Sequence, residues 1–575
     1  MTKTQQKRRQ SAILDVYTGE QRRIDAPWNE TNSESNQDKI NFYWTGHPFV
    51  DAGLAAILLI NGKNEPEELN EEDIQKAIDF ASELYATKEW SSNYLHGMIF
   101  PNSGILMANP GITGTVSKAI KDALKKENKL PLSNKILEEL KYKISKNFDD
   151  ELAEDMAKHL QHLYKEDKTL EEKEIKKIIA QLLNQKFVED AIKRRIKKEL
   201  NNLYNNFINN QKVAKEKSKA FCVICGKNYP YNTAQNKIYM SSFPLLGSGK
   251  KANYFHSANL NGADICVHCL FLTQFMPLAS YRLRRVLVIH GYPYSLNLEL
   301  SKEALRDVRT YKSVSNARNF KKPENFLFRK VAEITQKVIG GYNYWKNASI
   351  SLIYFISNNQ NQVIDITNVP TVSLIFVAFA SSYDPLGWRR LISAGWRNKP
   401  ATDEEFSNSE KEKTNDVYLK LINNENILPY FIDVKKRQTN AKWDLLEFYC
   451  KEVLLMNEEA LKLIKDVGDR VVETLDNLED NKLYRRLREL ENATKLYQFE
   501  EFFVNLEKLR QRKGIEKPLM KFDEFAALLV NYGENLDVSW RTVKNLLLFR
   551  VYEKLHDRLS KISEKEENED GGDEE

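Results

Sequence analysis

The chain has 575 residues, of which 42% are hydrophobic and 29% charged, and a formal net charge of +5. That length predicts two to four domains with apolar cores, and the longest apolar runs, such as residues 374–380, are too short to span a bilayer, which argues against a membrane protein. Five cysteines in so long a chain, four of them in CxxC pairs, predict a reducing cytosol rather than a disulfide framework.

The start, residues 1–10, is polar and basic with no apolar stretch behind it, so no signal peptide is expected. The net charge hides an asymmetry. Residues 561–575 hold two lysines and eight acids, a net of −6, which leaves +11 on the rest of the chain. Such a surplus is what an anionic partner would use. The acidic tail reads as disordered, serving solubility or discouraging non-specific nucleic-acid binding.

Residues 1–38 read as a polar arm. The aromatic run Phe42-Tyr43-Trp44 predicts a strand end, Gly46-His47-Pro48 a turn, and Pro48 the first turn of a buried helix through Leu58. Gly53, Ala55 and Ala56 let that helix pack closely on a neighbour. His47 and Asp51 lie four apart, as a metal or acid/base pair would, or as capping and packing residues. Residues 98–116 hold Gly104, Asn109, Pro110, Gly111 and Gly114 and read as a turn-rich loop. Glycines there let backbone approach a phosphate or groove floor, or merely connect elements.

Residues 117–219 are Lys-rich and almost free of Gly and Pro, with Ile136, Leu140 and Ile144 at helical spacing and again Ile178, Leu182 and Leu183. Lys193, Arg194, Arg195, Lys197 and Lys198 give this helical insertion a basic face, either solvated or bound to an anion. His159 and His162 have no third ligand in view.

Cys222-Val223-Ile224-Cys225-Gly226 and Cys266-Val267-His268-Cys269 follow. Each CxxC turn aims two thiolates at one point, and two such knuckles make a closed tetrahedral four-sulfur site whose preferred occupant is a structural Zn²⁺. The alternatives are unliganded core thiols or a redox pair. His268 either replaces a cysteine or points to solvent. Between the pairs, Gly247-Ser248-Gly249-Lys250-Lys251 resembles the end of a P-loop, but Pro244 stands where the first Gly belongs and Lys251 where Ser or Thr is needed. No nucleotide hydrolysis is predicted there; a flexible basic loop with Lys250 and Lys251 on a nucleic-acid backbone fits better.

Residues 270–279 predict a helix, 284–290 a strand, and 349–356 with 362–366 a hairpin. Arg306, Arg309, Lys312, Arg318, Lys321, Lys322, Arg329 and Lys330 form a basic zone with Tyr311 and Phe320 interleaved. Trp388-Arg389-Arg390 and Trp396-Arg397-Asn398-Lys399 add another. Cations for phosphates and rings for bases suit a single-strand or heteroduplex groove; structural Trp beside solvated Arg is the alternative. From about residue 442 the chain is nearly all helical, with stripes at Leu483, Leu487, Leu490 and at Phe499, Phe502, Phe503, Leu506, Leu509, and with Ser539 as a cap of the last helix.

The segments together predict an α+β fold. A mixed α/β N-terminal part covers 1–116, the helical insertion 117–219, and a zinc-knuckle subdomain 220–272. The remainder of the N-terminal α/β domain covers 273–440, a C-terminal antiparallel helical bundle 441–562, and the tail 563–575.

An aromatic strand running into Gly46-His47-Pro48-Phe49-Val50-Asp51-Ala52-Gly53-Leu54-Ala55-Ala56, a central CxxC…CxxC and a C-terminal helical bundle resemble the large subunit of type I-B CRISPR interference complexes. The resemblance implies a non-catalytic, RNA- and DNA-binding member of Cascade in a prokaryotic cytoplasm, a ribonucleoprotein of antiviral defence. Its partners would be crRNA, target double-stranded DNA, the backbone and crRNA-processing subunits, copies of a C-terminal small subunit, and a helicase-nuclease that it recruits. Such a subunit reads a protospacer-adjacent motif, assists R-loop formation and holds the displaced strand. Asn109, Gly111, Thr113 and Gly114, or the loop with Lys250 and Lys251, are the motif-reading candidates. Arg389, Arg390, Arg397 and Lys399 are candidates for strand phosphates. Met456 is a candidate internal start for the small subunit. Two other readings compete: a zinc-ribbon helical nucleic-acid scaffold outside CRISPR, and a metal-dependent nuclease, for which no acidic or His cluster stands at convincing spacing.

Overall fold

Pro48 opens the helix on which the N-terminal half is assembled. In the computed structural model the described residues are 41–87, 108–126, 133–147, 149–164, 171–211, 220–222, 224–229, 265–338, 341–357, 362–530 and 536–561. The chain divides into the units Met1–Asn41 and Phe42–Glu575, and every element below lies in the second. Helix α1 (Pro48–Asn61) starts with a proline, whose missing N–H has no intrahelical partner to lose. Extended His47 precedes it, and its Nδ1 accepts the Phe49 N–H at 3.3 Å. Left-handed Gly62 (φ +67°) ends it. Apart from Asp51 the helix carries no charge, and it is buried nearly all round.

Residues 41–45 precede it without forming a strand. Their aromatic rings pack on separate elements instead: Phe42 on Phe207 (4.8 Å between centroids), Tyr43 on His268 and Trp44 on Tyr294. Aromatic richness reports burial, which a strand and an irregular segment offer equally.

Helix α2 (Glu71–Ala86) is closed by an Asn70–Asp73 capping box. Helix α3 (Ala108–Lys126) corrects an expectation: Asn109, Gly111, Thr113 and Gly114 lie on a helix, not a turn-rich loop. Pro110 falls in its first turn, where the N–H groups are unpaired and proline is tolerated. Residues 98–107 of that stretch lie outside the described residues. Helices α4 (Asn134–Asn147), α5 (Asp150–Leu163), α6 (Glu172–Leu183) and α7 (Lys186–Gln211) follow. Ile136, Leu140 and Ile144 are buried as their spacing predicts. On α6 the buried stripe is Ile175, Ile179 and Leu182 rather than Ile178 and Leu183. The basic run of α7 is partly neutralised: Lys193 and Lys197 reach Glu83 and Asp79 of α2 at 3.8 and 2.6 Å, and Arg194 reaches Asp149, the cap of α5, at 3.1 Å.

Strands β1 (Ala220–Phe221) and β2 (Asn228–Tyr229) pair antiparallel around the first CxxC turn. Helix α8 (Val267–Thr273) carries the second and gives way to a 3₁₀ turn, Met276–Ala279, containing Pro277, so the helix expected over 270–279 is split. Strands β3 (Tyr281–Arg282) and β4 (Val286–Tyr292), helices α9 (Tyr294–Tyr311) and α10 (Pro323–Thr335), and strands β5 (Ser349–Ser357) and β6 (Gln362–Val369) come next. The sheet is antiparallel in the order β3-β4-β5-β6, with Ile289 opposite Leu352 and Leu352 opposite Thr367. The alternation of side chains across a strand turns Leu287, Ile289 and Leu352 into the core shared with Leu296, Leu300 and Leu374. It turns Phe355 and His290 toward α1, where Phe355 meets Phe49 at 5.0 Å.

Helices α11 (Thr371–Tyr383), α12 (Pro385–Ala394), α13 (Asp403–Glu412) and α14 (Asp416–Ile422) pack behind the sheet, and β7 (Ile432–Asp433) pairs with β8 (Gln438–Thr439). Helices α15 (Trp443–Glu452), α16 (Glu458–Asp476), α17 (Asp480–Glu491), α18 (Leu496–Arg512), α19 (Phe522–Val530) and α20 (Leu536–Lys554) complete the chain. Their expected stripes are buried at Leu483, Leu487, Leu490, Phe499, Phe502, Phe503 and Leu506. Ser539 lies inside α20 rather than at its cap. One apolar core runs from Tyr281 to Leu559. The fold is α+β: a small antiparallel sheet, a four-cysteine cluster and extensive helical regions.

A Cβ built on Gly53 would lie 1.8 Å from the carbonyl oxygen of Leu272. Helix α1 therefore meets α8 backbone to backbone, and only glycine fits. Gly53→Ala is expected to lower stability by about 3 kcal/mol, read as a shift of the urea unfolding midpoint; an unchanged midpoint would show that the two helices separate freely.

Candidate metal centre

The four cysteines of the two CxxC pairs come together. The sulfurs of Cys222, Cys225, Cys266 and Cys269 all lie within 4.8 Å of one another, from two knuckles more than forty residues apart. In the first, Gly226 takes φ +69° and its N–H bonds the Cys222 carbonyl at 2.9 Å, while the Cys222 N–H bonds the Lys227 carbonyl at 3.0 Å. A left-handed residue folds the chain back beneath the sulfurs, and glycine takes that conformation without steric cost. In the second, the Cys266 N–H points at the Cys222 sulfur at 3.3 Å.

Sulfurs of Cys222 and Cys269 are 3.9 Å apart, and those of Cys225 and Cys266 3.7 Å. A tetrahedral metal ion with metal–sulfur bonds of about 2.3 Å sets its sulfurs about 3.8 Å apart, so the donor set fits such an ion. The cysteines are free thiols. Their protonation is mutually constrained. At Cys222 the bond with Cys225 raises the pKa, but those from Cys266 and Cys269 bring it down to about 7. Cys225 is held below the usual thiol value by its bond from Cys222, while Cys266 and Cys269 are pushed above it by theirs. Four thiolates so close repel one another unless a cation sits between them.

A shell of aromatic contacts joins the cluster to the start of α1. The Tyr43 hydroxyl, kept protonated by burial, donates to Cys225 at 3.4 Å. The Lys227 ammonium lies 3.1 Å from the centre of the Tyr43 ring. His268 neither replaces a cysteine nor faces solvent. It is buried, stacks on Tyr43 at 4.0 Å and 4°, and burial lowers its pKa to about 3. No sequence signal places Tyr43 beside Cys225, because 182 residues separate them.

His47 and Asp51 do not form the pair their spacing offered. Asp51 is fully buried and accepts from the Thr45 N–H (2.8 Å), the Thr45 hydroxyl (2.9 Å) and the Gly46 N–H (3.0 Å). Its remaining partner is His290 Nε2 on β4, at 2.9 Å. His47 caps α1, the packing role.

Residues 215–281 match the model of a family described as CRISPR-associated protein (Cas_CXXC_CXXC). The match covers 67 of 575 residues and contains all four cysteines of the cluster. Comparisons with curated proteins and with solved structures gave no match.

The nucleic-acid candidates are spread along the sequence from residue 109 to residue 399. Asn109, Gly111, Thr113 and Gly114 sit at the start of α3, and Lys250 and Lys251 fall outside the described residues. Arg389 on α12 pairs with Asp403 and lies over the Phe406 ring at 4.6 Å. Lys399 pairs with Asp433. Arg390 and Arg397 are exposed and form no ion pair with a described residue. Trp388 and Trp396 are buried. Met456 is buried before α16, its N–H on the Cys450 carbonyl at 2.9 Å. No helix of the described residues is long and apolar enough to cross a membrane.

Burial lowers the His47 pKa from 6.5 to about 4, against the pull of Asp51 and with a smaller push from His290. The folded state thus favours neutral His47. Its contribution is complete above about pH 6.5 and is lost as the pH falls toward 4. His47→Asn keeps a capping acceptor and is expected to flatten the pH dependence of unfolding between pH 6.5 and 4 by up to about 1.4 kcal/mol per pH unit, measured from urea midpoints; an unaltered slope would mean that His47 is not held neutral.

Proposed function

We propose that the chain is the large subunit of a type I-B CRISPR interference complex: a non-catalytic protein built around a structural zinc ion that reads a protospacer-adjacent motif, assists R-loop formation, holds the displaced strand and recruits a helicase-nuclease. One observation carries this reading. The CRISPR-associated family match falls on the four-cysteine segment, and that segment packs against the other motif on which the resemblance rests, through Tyr43 on Cys225 and Gly53 on Leu272. Two motifs far apart in sequence are parts of one structural unit.

Zinc is favoured by the donor set. Four sulfurs at tetrahedral spacing suit Zn²⁺ and leave no open coordination position, as in structural rather than catalytic sites. Zinc chemistry here would be structural: the ion neutralises the thiolates and fastens the knuckles to each other. Cys222, Cys225, Cys266 and Cys269 would hold it.

On this reading Arg390 and Arg397 meet strand phosphates first, since neither gives up an ion pair with a described residue. Arg389 and Lys399 would exchange exposed ion pairs, which are worth little. Asn109, Gly111, Thr113 and Gly114, with Lys250 and Lys251, remain the motif-reading candidates. Met456 would start a separate small subunit carrying helices α16 to α20. The location would be a prokaryotic cytoplasm.

The deciding experiment is a pull-down of tagged protein from its native cell with nucleic acids and small proteins sequenced. Recovery of a CRISPR guide RNA, a repeated backbone subunit and a fragment beginning near Met456 is expected; the full-length chain alone would sink the interference-complex reading. Elemental analysis is expected to find about one zinc per chain, lost in Cys222→Ala and in Cys266→Ala together with a lower Tm. Retained metal in both variants would overturn the four-sulfur site. Arg397→Ala is expected to reduce the slope of log K against log salt for DNA binding by about one.

A further inference from the structure

Helices α10, α12, α13 and α14 enclose a cavity of about 510 Å³ that none of the foregoing uses. Its size lies in the range of small-ligand sites. Its walls combine rings and guanidinium groups: Trp388, Phe406 and Tyr418 with Arg318, Arg329 and Arg389.

Arg389 is the central feature. Its guanidinium lies 4.6 Å from the centre of the Phe406 ring, and Phe406 is braced edge-on by Trp396 at 5.2 Å. A guanidinium plane held on a ring offers a flat cationic face on which a base stacks. Its acidic partner Asp403 is 91% exposed, so that pair is weak and exchangeable. Arg329, half-exposed and paired with Glu333 at 3.1 Å, places a second cation at the cavity wall.

Glu410 supplies the opposite character. Its side chain is among the buried polar groups, and the Tyr418 hydroxyl donates to its Oε1 at 2.9 Å. Burial raises its pKa against the pull of Arg329 and of that hydrogen bond. A carboxyl in this position offers hydrogen bonds to the edge of a base.

The backbone is strained where it delivers Arg318. Ala317, Arg318 and Asn319 all take positive φ, at +50°, +53° and +67°. Consecutive non-glycine residues there persist only when their surroundings hold them. Arg318 is clamped by Glu303 and by Glu333, the latter at 2.8 Å. A fixed Arg318 shapes the wall, while Arg389 and Arg329 would meet an anion by exchanging their pairs with Asp403 and Glu333.

We propose that this cavity binds one nucleotide unit, its base stacked on Arg389 and hydrogen-bonded at Glu410, and its phosphate at Arg329 and the rim. The source is a single strand of DNA. That choice of source rests on the interference-complex reading, whereas the chemistry of the cavity does not.

The test uses the full-length chain and three probes: a short oligodeoxynucleotide carrying 5-iodouracil, free deoxynucleoside monophosphate, and inorganic phosphate. Photocrosslinks from the oligonucleotide are expected within 318–336 or 385–418. Arg389→Gln and Phe406→Leu are each expected to weaken oligonucleotide binding about tenfold at 0.1 M salt, with Tm unchanged within a few degrees. Arg389→Lys, which keeps charge but not the plane, is not expected to restore it. Full restoration by lysine would overturn stacking. Equal binding in all variants, or crosslinks only elsewhere, would overturn the site, as would phosphate competing as well as the mononucleotide. If the mononucleotide binds in the same Arg389-dependent way while the oligonucleotide does not, the cavity stands and its source is a free nucleotide. Absence of guide RNA in the pull-down with the crosslink intact would sink the interference-complex reading and leave the cavity standing.

Discussion

The carboxylate of Asp51 is the point on which the N-terminal half depends. Buried completely, it would be intolerable as an unpaired charge. It is satisfied by two backbone N–H groups, a hydroxyl and His290. Those four bonds fix the turn before α1, and with it Pro48 and His47, and bind α1 to a strand 239 residues away. Once α1 is held to β4, Gly53 sets it against α8 and the second knuckle is placed. Tyr43, just before the turn, then reaches the first. The four-cysteine cluster is thus oriented by a hydrogen-bond network that contains none of its cysteines.

Local chemistry in the sequence made part of this legible. CxxC spacing and the glycine after Cys225 encode the two knuckles by themselves, because each is a turn of a few residues. Pro48, the small residues of α1 and the bundle stripes are likewise local signals. The hairpin of β5 and β6 was readable from β-branched runs around an Asn-rich joint, although β4 begins two residues later than expected. What escaped were contacts set by tertiary packing. Asp51 seeks His290 rather than His47, Tyr43 seeks Cys225, and His268 turns inward onto Tyr43, and none of these partners is close in sequence. The helix beginning at Ala108 was misread because Asn, Pro and Gly mark turns and helix starts alike, and only the following residues distinguish them.

Charge was legible in amount and not in use. Of the run at 193–198, Lys193, Arg194 and Lys197 are tied to acids of neighbouring helices. In the next zone Lys330 is buried against Glu303 at 2.7 Å, where it holds the core together rather than meeting a partner. The members of such a buried pair depend on each other, since removing either strands the other. Counting cations along the sequence therefore overstates the surface open to an anion.

Three arginines lie close together in sequence beside the buried tryptophans. Arg389, Arg390 and Arg397 lie within nine residues, two of them on α12 and the third just after it. Trp388 and Trp396 beside them are buried and hold this segment to the core, so the expected alternation of rings and cations separates into two jobs: the tryptophans anchor, and the arginines face outward. The ring that does lie under a cation is Phe406, from the next helix, which no spacing within 388–399 could reveal. On the proposed reading, Arg390 and Arg397 would attract a phosphate backbone over distance, and Arg389 in the cavity wall would offer a fitted, ring-backed contact. Long-range charge falls off over a Debye length of about 8–10 Å, whereas a stacked base is held by contact and desolvation. On the proposed reading, adjacent residues would carry the two terms separately, one sensitive to salt and the other to shape.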